Sequence, residues 1–327
     1  MLSDQEKFEL TRAVNNSFLS LTIIPTMQCN LRCVYCYEEH KNIHISDSDI
    51  SNIVKFIKEK ANTLSKLHIT WFGGEPLLKI RILHKLLDEV NVICEEKDIK
   101  FSSSIVTNAT LLNVDVFTNL LKKNVKYFQI TFDGDEEAHD KLRYYVNGRG
   151  SFRDIWENLL QYRERDESFT IKIRLHLNGE NSESIKSFKE KFDRSFGQDS
   201  RFQLDYHTIF KSKVNQKETI VSDENMVESR KQFEEVIGQE ERNRYICYAA
   251  KPNHWVINPR SIVSKCTVAL ENKANHVGYL SSDGKLNLNV KLANEWHESL
   301  LNLDWESMRC PLLGLKKKYK SINVVNI

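Results

Sequence analysis

Six short apolar, β-rich runs between residues 18 and 210 are separated by stretches whose apolar residues recur at three and four. This alternation constrains the fold more than any other feature of the chain. The runs are Phe18–Ile24, Leu67–Phe72 and segments near 101–106, 126–132, 169–177 and 202–210. Between the first two, Ser46 or Ser48 can cap a helix carrying Ile50, Ile53, Ile57 and Ala61 on one side. After the second, Leu83, Leu87, Val90 and Cys94 make another stripe, which marks Cys94 as a core thiol. Further helices are expected over 113–122, 151–164 and 182–194. Strands separated by helices form a parallel sheet with right-handed crossovers. Ligands of such sheets bind at the C-terminal strand ends.

Chemistry-bearing residues fall at those ends. Cys29, Cys33 and Cys36 follow the first strand in Met27-Gln-Cys-Asn-Leu-Arg-Cys-Val-Tyr-Cys-Tyr37. Thiolates are soft ligands suited to iron–sulfur clusters or zinc, and a closed structural site wants four ligands. Three thiols at this spacing can hold three irons of a cubic cluster and leave the fourth open. A zinc knuckle completed by His40, or reduced structural thiols, are the alternatives. Gly73-Gly74-Glu75-Pro76 follows the second strand, Thr107-Asn108 ends the third, and Thr131 and Asp133 end the fourth. Two glycines let a backbone pass close to a ligand.

Together these segments resemble the radical S-adenosylmethionine (SAM) enzymes over roughly Phe18 to Cys310. The three cysteines and Tyr35, the aromatic residue before the third, match the family's cluster loop. Gly73-Gly74-Glu75-Pro76 matches the stretch that binds the SAM amino group. Ile105-Val-Thr-Asn-Ala-Thr-Leu-Leu112 matches a later strand end, with Ala109 in place of the usual glycine. Gln129-Ile-Thr-Phe-Asp-Gly134, His139-Asp140, Arg143 and Gly150-Ser-Phe152 match the next strand, its loop and a helix start. The resemblance implies an α/β fold, a partial (β/α)6 barrel over residues 17–211, preceded by a tail at 1–16.

Past residue 211 the pattern changes. Lys211–Glu218 reads as a linker, Ser222 can start a helix carrying Met226, Phe233 and Ile237, and Asp283-Gly284 suggests a hairpin. Cys247, Cys266 and Cys310 resemble part of the SPASM domain, which carries auxiliary iron–sulfur clusters in many peptide-modifying radical SAM enzymes. That implies a small α+β domain at 212–327. The later cysteines of the pattern are absent, and Ser261 stands where a glycine is usual. Three cysteines cannot build two auxiliary clusters. One cluster with a non-cysteine fourth ligand such as His254, a degenerate domain without a cluster, and zinc all stay open.

With 47 Lys+Arg against 45 Asp+Glu, the net charge is +2, too balanced to argue for nucleic acid or an anionic membrane as main partner. The N-terminus lacks the apolar core of a signal peptide, and no apolar run is long enough to span a bilayer. Seven cysteines, an odd number, argue against a disulfide framework. The cytoplasm is the expected compartment. His40, His44, His68 and His297 read as surface or packing histidines. Asp205 and His207 share one face of the last barrel strand and could position or deprotonate a substrate. Lys316–Lys318 with Lys320 reads as a solvated tail.

By the resemblance, a reduced [4Fe–4S] cluster on Cys29, Cys33 and Cys36 passes an electron to bound SAM, and the resulting 5′-deoxyadenosyl radical abstracts hydrogen from a substrate carbon. Tyr35 is then expected near the adenine and Gly73, Gly74 and Glu75 near the amino group. Arg143 is expected at the carboxylate, with Thr107, Asn108 and Thr131 near the ribose. The SPASM-like segment implies a peptide substrate, first a ribosomally made precursor to be oxidised or cross-linked, with sulfatase maturation as runner-up. A reductant such as flavodoxin or ferredoxin and a separate leader-binding protein are the implied partners. A non-catalytic iron–sulfur carrier or sensor is the reading from another class; SAM cleavage separates it from the enzymes.

Overall fold

The computed structural model describes residues 2–179, 181–208 and 245–318. Six parallel strands carry the first part: β1 (Phe18–Ile23), β2 (Lys66–Trp71), β3 (Lys100–Thr107), β4 (Val125–Phe132), β5 (Thr170–Leu177) and β6 (Phe202–Thr208). Helices join them: α2 (Asp47–Ala61), α3 (Ile80–Glu96), α4 (Val114–Lys122), α5 (Glu136–Leu142), α6 (Phe152–Arg163) and α7 (Ser182–Phe196). Of the two serines offered as cap for α2, Ser46 serves, in a reciprocal capping box with Asp49. Two elements of this first part lie outside the expectation. Within the expected tail at 1–16, residues 4–13 form α1 (Asp4–Ala13), started by a Ser3–Glu6 capping box. The loop after β4 contains α5, capped by Asp135.

Each strand alternates. Leu67, Ile69 and Trp71, like Ile171, Ile173 and Leu175, are fully buried against the helices, worth about 1.5–3 kcal/mol per side chain. The opposite, inner face is polar. Register places His68 beside Ser102, Arg174 beside Asp205 and His176 beside His207. His68 bonds Ser102 and Ser104 at 2.8 and 3.0 Å. A polar lumen beneath an apolar shell is what a barrel needs to receive a polar ligand.

The C-terminal strands extend this same sheet. β7 (His254–Ile257) pairs in parallel with β1; β8 (Ile262–Ser264), β9 (His276–Leu280) and β10 (Leu286–Leu288) follow antiparallel, giving ten strands in the order β10-β9-β8-β7-β1-β2-β3-β4-β5-β6. β1 would otherwise present an open edge. The turn between β9 and β10 contains Asp283-Gly284, with Gly284 at φ +84°. Helix α8 (Val290–Leu301) packs over these strands through the buried Ala293 and Trp296. The linker 211–218, the helix expected from Ser222 and the side chains at 316–320 lie outside the described residues. Among the described residues no helix is long and apolar enough to cross a membrane.

Both positions where a family glycine is replaced sit in the left-handed region: Ala109 at φ +62° and Ser261 at φ +56°. A Cβ there costs about 1–2 kcal/mol, partly offset because glycine loses more freedom on folding. Ser261 recovers some of this by donating to Asp49 Oδ1 at 2.8 Å; Ala109 has no such bond. Ala109→Gly is therefore expected to raise the unfolding free energy by about 0.5–1 kcal/mol in a urea titration.

Candidate functional site

One cavity of about 390 Å³ opens at the C-terminal strand ends. Cys29, Cys33, Cys36 and Tyr35 line it from the cysteine loop, and Gly73, Gly74, Thr107 and Asn108 from the ends of β2 and β3. Thr131, Arg143 and His207 line it as well. The cysteine loop is pinned from several sides. Arg32 and Val34 N–H groups donate to the carbonyls of Tyr144 and Leu142, and Asn30 bonds Thr110 and Asn108.

The glycines have a backbone reason. A Cβ on Gly73 would meet Ile24 and the Thr26 carbonyl at 2.6 Å, and one on Gly74 would meet the Gln28 carbonyl at 2.1 Å. The Gly-Gly-Glu stretch lies directly on the stem of the cysteine loop, with Gly74 and Glu75 N–H groups donating to Thr26 and Gln28.

Glu75 corrects an expectation. Its side chain is wholly buried and is not among the cavity-lining groups. Oε1 accepts from the Leu77 N–H at 2.9 Å and the Thr107 hydroxyl at 2.8 Å, and Oε2 accepts from the Asn108 N–H at 2.8 Å. Burial pushes its carboxyl above the ordinary range, against the pull of these donors and Arg143. Its carboxylate staples β2's end to β3's end and is closed off from the cavity. Thr107 and Asn108 are drawn into the same staple, so their side chains reach the cavity already engaged. Glu75→Gln turns one acceptor into a donor facing the Asn108 N–H. It is expected to cost about 1.5–3 kcal/mol of unfolding free energy, read by denaturant titration.

Arg143 comes from the end of α5, and the motif around it is scaffolding. Asp140 accepts from the Ser151 and Phe152 N–H groups at 2.8 Å, starting α6. Buried His139 bonds Ser151, whose hydroxyl donates to the Arg143 carbonyl. A Cβ on Gly150 would overlap Asp140 at 1.9 Å, so only glycine fits. Arg143 NH1 donates to the Tyr35 hydroxyl at 2.8 Å, and that hydroxyl donates to Asp133 at 2.7 Å. His176 Nδ1 approaches Asp133 Oδ1 to 3.0 Å. Burial opposes Asp133's ionisation, but His176 and Arg143 hold its carboxyl below the ordinary range. The Arg143 Nε, buried, has no hydrogen-bond acceptor.

His176, Gln129 and Arg174 also face the cavity and were not singled out from sequence. Their signal is the polar set of alternate positions along β4 and β5. Asp205 proves to be Arg174's partner, at 3.2 Å, and does not line the cavity. Burial, with the charges of Arg174 and His176, pushes His207 down to about 4. His254 cannot be spared as a cluster ligand: its ring nitrogens bond Ser20 at 3.0 Å and Thr22 at 3.3 Å. His40 Nε2 lies 3.5 Å from Cys36 Sγ.

Burial, with Glu75 nearby, raises the Cys29 thiol to about 12, and burial with Glu38 nearby raises Cys36 to about 12. Iron would displace those protons. Among the described residues no three ligand side chains are gathered tightly enough to share one ion. A cluster asks for a different arrangement, one thiolate on each of three irons. Three free thiols on one open cavity fit that demand, and the Arg143 guanidinium on the same cavity suits an anionic group of a ligand beside them.

The radical SAM superfamily model matches residues 23–192, just over half of the chain. The chain belongs to the radical SAM superfamily. Its cofactors are accordingly a [4Fe–4S] cluster and SAM. A cysteine-type anaerobic sulfatase-maturating enzyme of Clostridium novyi is 33% identical over 149 residues, 43% of this chain and 39% of that protein. The chain spans half or less of the curated relatives it matches. Among solved structures, anSMEcpe with bound AdoMet and Cp18Cys peptide aligns with a TM-score of 0.63 at 19% identity, over 88% of this chain and 83% of that one. Streptococcus suis SuiB bound to precursor peptide SuiA aligns at 0.56 and 16%, over 90% and 67%. At these identities the likeness of this radical SAM chain to both is one of fold, and it extends through the C-terminal strands.

The three C-terminal cysteines come together. Cys247, Cys266 and Cys310 each lie close enough to influence the others' ionisation. The Val268 N–H donates to Cys266 Sγ at 3.4 Å, and the Cys247 N–H to the Met308 carbonyl. N–H donors aimed at sulfur suit a cluster-bound thiolate.

Proposed function

We propose that this radical SAM enzyme abstracts hydrogen from a side-chain carbon of a peptide, maturing a ribosomally made precursor. The observation that carries this reading is the composition of one cavity wall. Tyr248, Thr267 and Val268, next to Cys247 and Cys266, close a side of the cavity that Cys29, Cys33 and Cys36 line. A C-terminal segment (212–327) whose described residues wall the mouth of a barrel (17–211) is suited to hold an extended chain over it. The similarity to SuiB, crystallised with a precursor peptide, supports the choice.

When bound on Cys29, Cys33 and Cys36, the cluster supplies the electron that cleaves SAM. The protein's own residues do the positioning. Arg143 offers its guanidinium to the SAM carboxylate, and the Tyr35 ring, fixed through its hydroxyl, walls the adenine side. Backbone groups of Gly73 and Gly74 receive the amino group in place of the Glu75 carboxylate, and Thr131 borders the ribose. His207, neutral at pH 7, and Arg174, steadied by Asp205, face the substrate. His207 is a weak base at that pKa and serves as a hydrogen-bonding partner. Cys247, Cys266 and Cys310 hold one auxiliary cluster. A flavodoxin or ferredoxin supplies electrons, and a separate protein binds any leader.

The Clostridium novyi similarity favours a second reading, oxidation of a sulfatase Cys or Ser to formylglycine. Mass spectrometry separates the two. Reduced enzyme and SAM should remove hydrogen from, or cross-link, the short peptide encoded beside its gene and leave a sulfatase-derived peptide unchanged. The reverse result supports the second reading; change in neither peptide sinks both.

A further inference from the structure

Lys265, immediately before Cys266, has no exposed surface. Its ammonium donates to the carbonyls of Lys251 at 2.6 Å and His254 at 2.7 Å and lies 4.4 Å from the centre of the Trp255 ring. Among the described residues no Asp or Glu pairs with it. The ionisable groups around it are Lys251, His254, His297 and Cys247. The first is cationic, and the histidines bear no negative charge. The nearby groups that could become anionic are the thiols of Cys247, Cys266 and Cys310; burial keeps the first two protonated until a metal displaces the protons. Burial lowers the Lys265 ammonium to about 7, because a buried cation is strongly unfavourable without an anionic partner. An apolar side chain of similar length would fill this place without that cost.

We propose that Lys265 is the built-in counter-charge of an auxiliary iron–sulfur cluster on Cys247, Cys266 and Cys310, and that it raises that cluster's reduction potential. The proposal rests on reading those three cysteines as cluster ligands. Reduction adds negative charge to a cluster, and a fixed cation in a low-dielectric interior stabilises the reduced form more than the oxidised one. A conserved geometry is not needed for this effect, only a charge that water cannot screen. The lysine's two carbonyl partners and the Trp255 face hold that charge in place when the cluster changes state.

The test uses full-length, reconstituted protein with Cys29, Cys33 and Cys36 replaced by alanine, so that only the auxiliary site can hold iron. Lys265→Met, Lys265→Gln and Lys265→Arg are compared in that background by iron count and by a spectroscopically monitored redox titration. Gln keeps an N–H for the two carbonyls without the charge, and Arg keeps the charge. With Lys265 intact the protein should hold about four irons. The Met and Gln variants should keep them and become harder to reduce, by at least tenfold in reduced-to-oxidised ratio at a fixed poise, or 59 mV for one electron. The Arg variant should stay close to the parent. Iron lost in Met and Gln but kept in Arg also supports a required charge. An unchanged midpoint in Met and Gln overturns the role of Lys265 and leaves the cluster reading standing; iron lost in all three variants marks Lys265 as packing and does the same. No iron with Lys265 intact overturns the cluster reading, and this proposal with it.

Discussion

Replacing Cys29, Cys33 and Cys36 together by alanine is expected to abolish release of 5′-deoxyadenosine from SAM under anaerobic, reducing conditions. The three thiols are free and share one cavity wall, and the superfamily's chemistry runs through a cluster held there. The loop's backbone is pinned by bonds that do not involve sulfur, from Arg32 and Val34 to the residues before and after Arg143. The variant should therefore fold, and circular dichroism checks this. Folded triple variant that still cleaves SAM would remove these cysteines from the chemistry.

SAM affinity should fall about tenfold to a hundredfold in Arg143→Ala, the roughly 1.5–3 kcal/mol of one charge-assisted contact. Arg143 is nearly buried, stays cationic beside Asp133, and carries a donor with no acceptor. Arg143→Lys keeps the charge without the planar fork and should recover only part of the loss. The measurement is a SAM titration of cluster-loaded protein. Equal affinity in the alanine variant would exclude Arg143 from the SAM site.

The barrel was legible because its signals are local. Helix stripes such as Ile50–Ile53–Ile57 and strands such as Leu67–Trp71 follow from side-chain period, and Cys29, Cys33 and Cys36 lie close together in sequence. The parallel pairing of β7 with β1 was not legible, since Ser20 and His254 meet across more than two hundred residues and no short-range pattern encodes that register. The same distance hid the occupation of His254 by Ser20 and Thr22. Glu75 was misread for another reason. A carboxylate beside two glycines at a strand end suggests a ligand contact, and only the neighbouring strand end reveals two of the three donors that engage it. Arg174 and His176 were passed over because a polar residue between apolar ones in a strand reads first as solvent-facing. In a barrel that face is the lumen.

SAM is expected to bind the open iron of a cluster held by Cys29, Cys33 and Cys36. Electron paramagnetic resonance of the dithionite-reduced protein with Cys247, Cys266 and Cys310 replaced by alanine tests it most directly, because the spectrum then reports the barrel cluster alone. Adding SAM should change the signal's g-values, since a new ligand enters the coordination sphere of one iron. A four-iron signal identical with and without saturating SAM would contradict the claim.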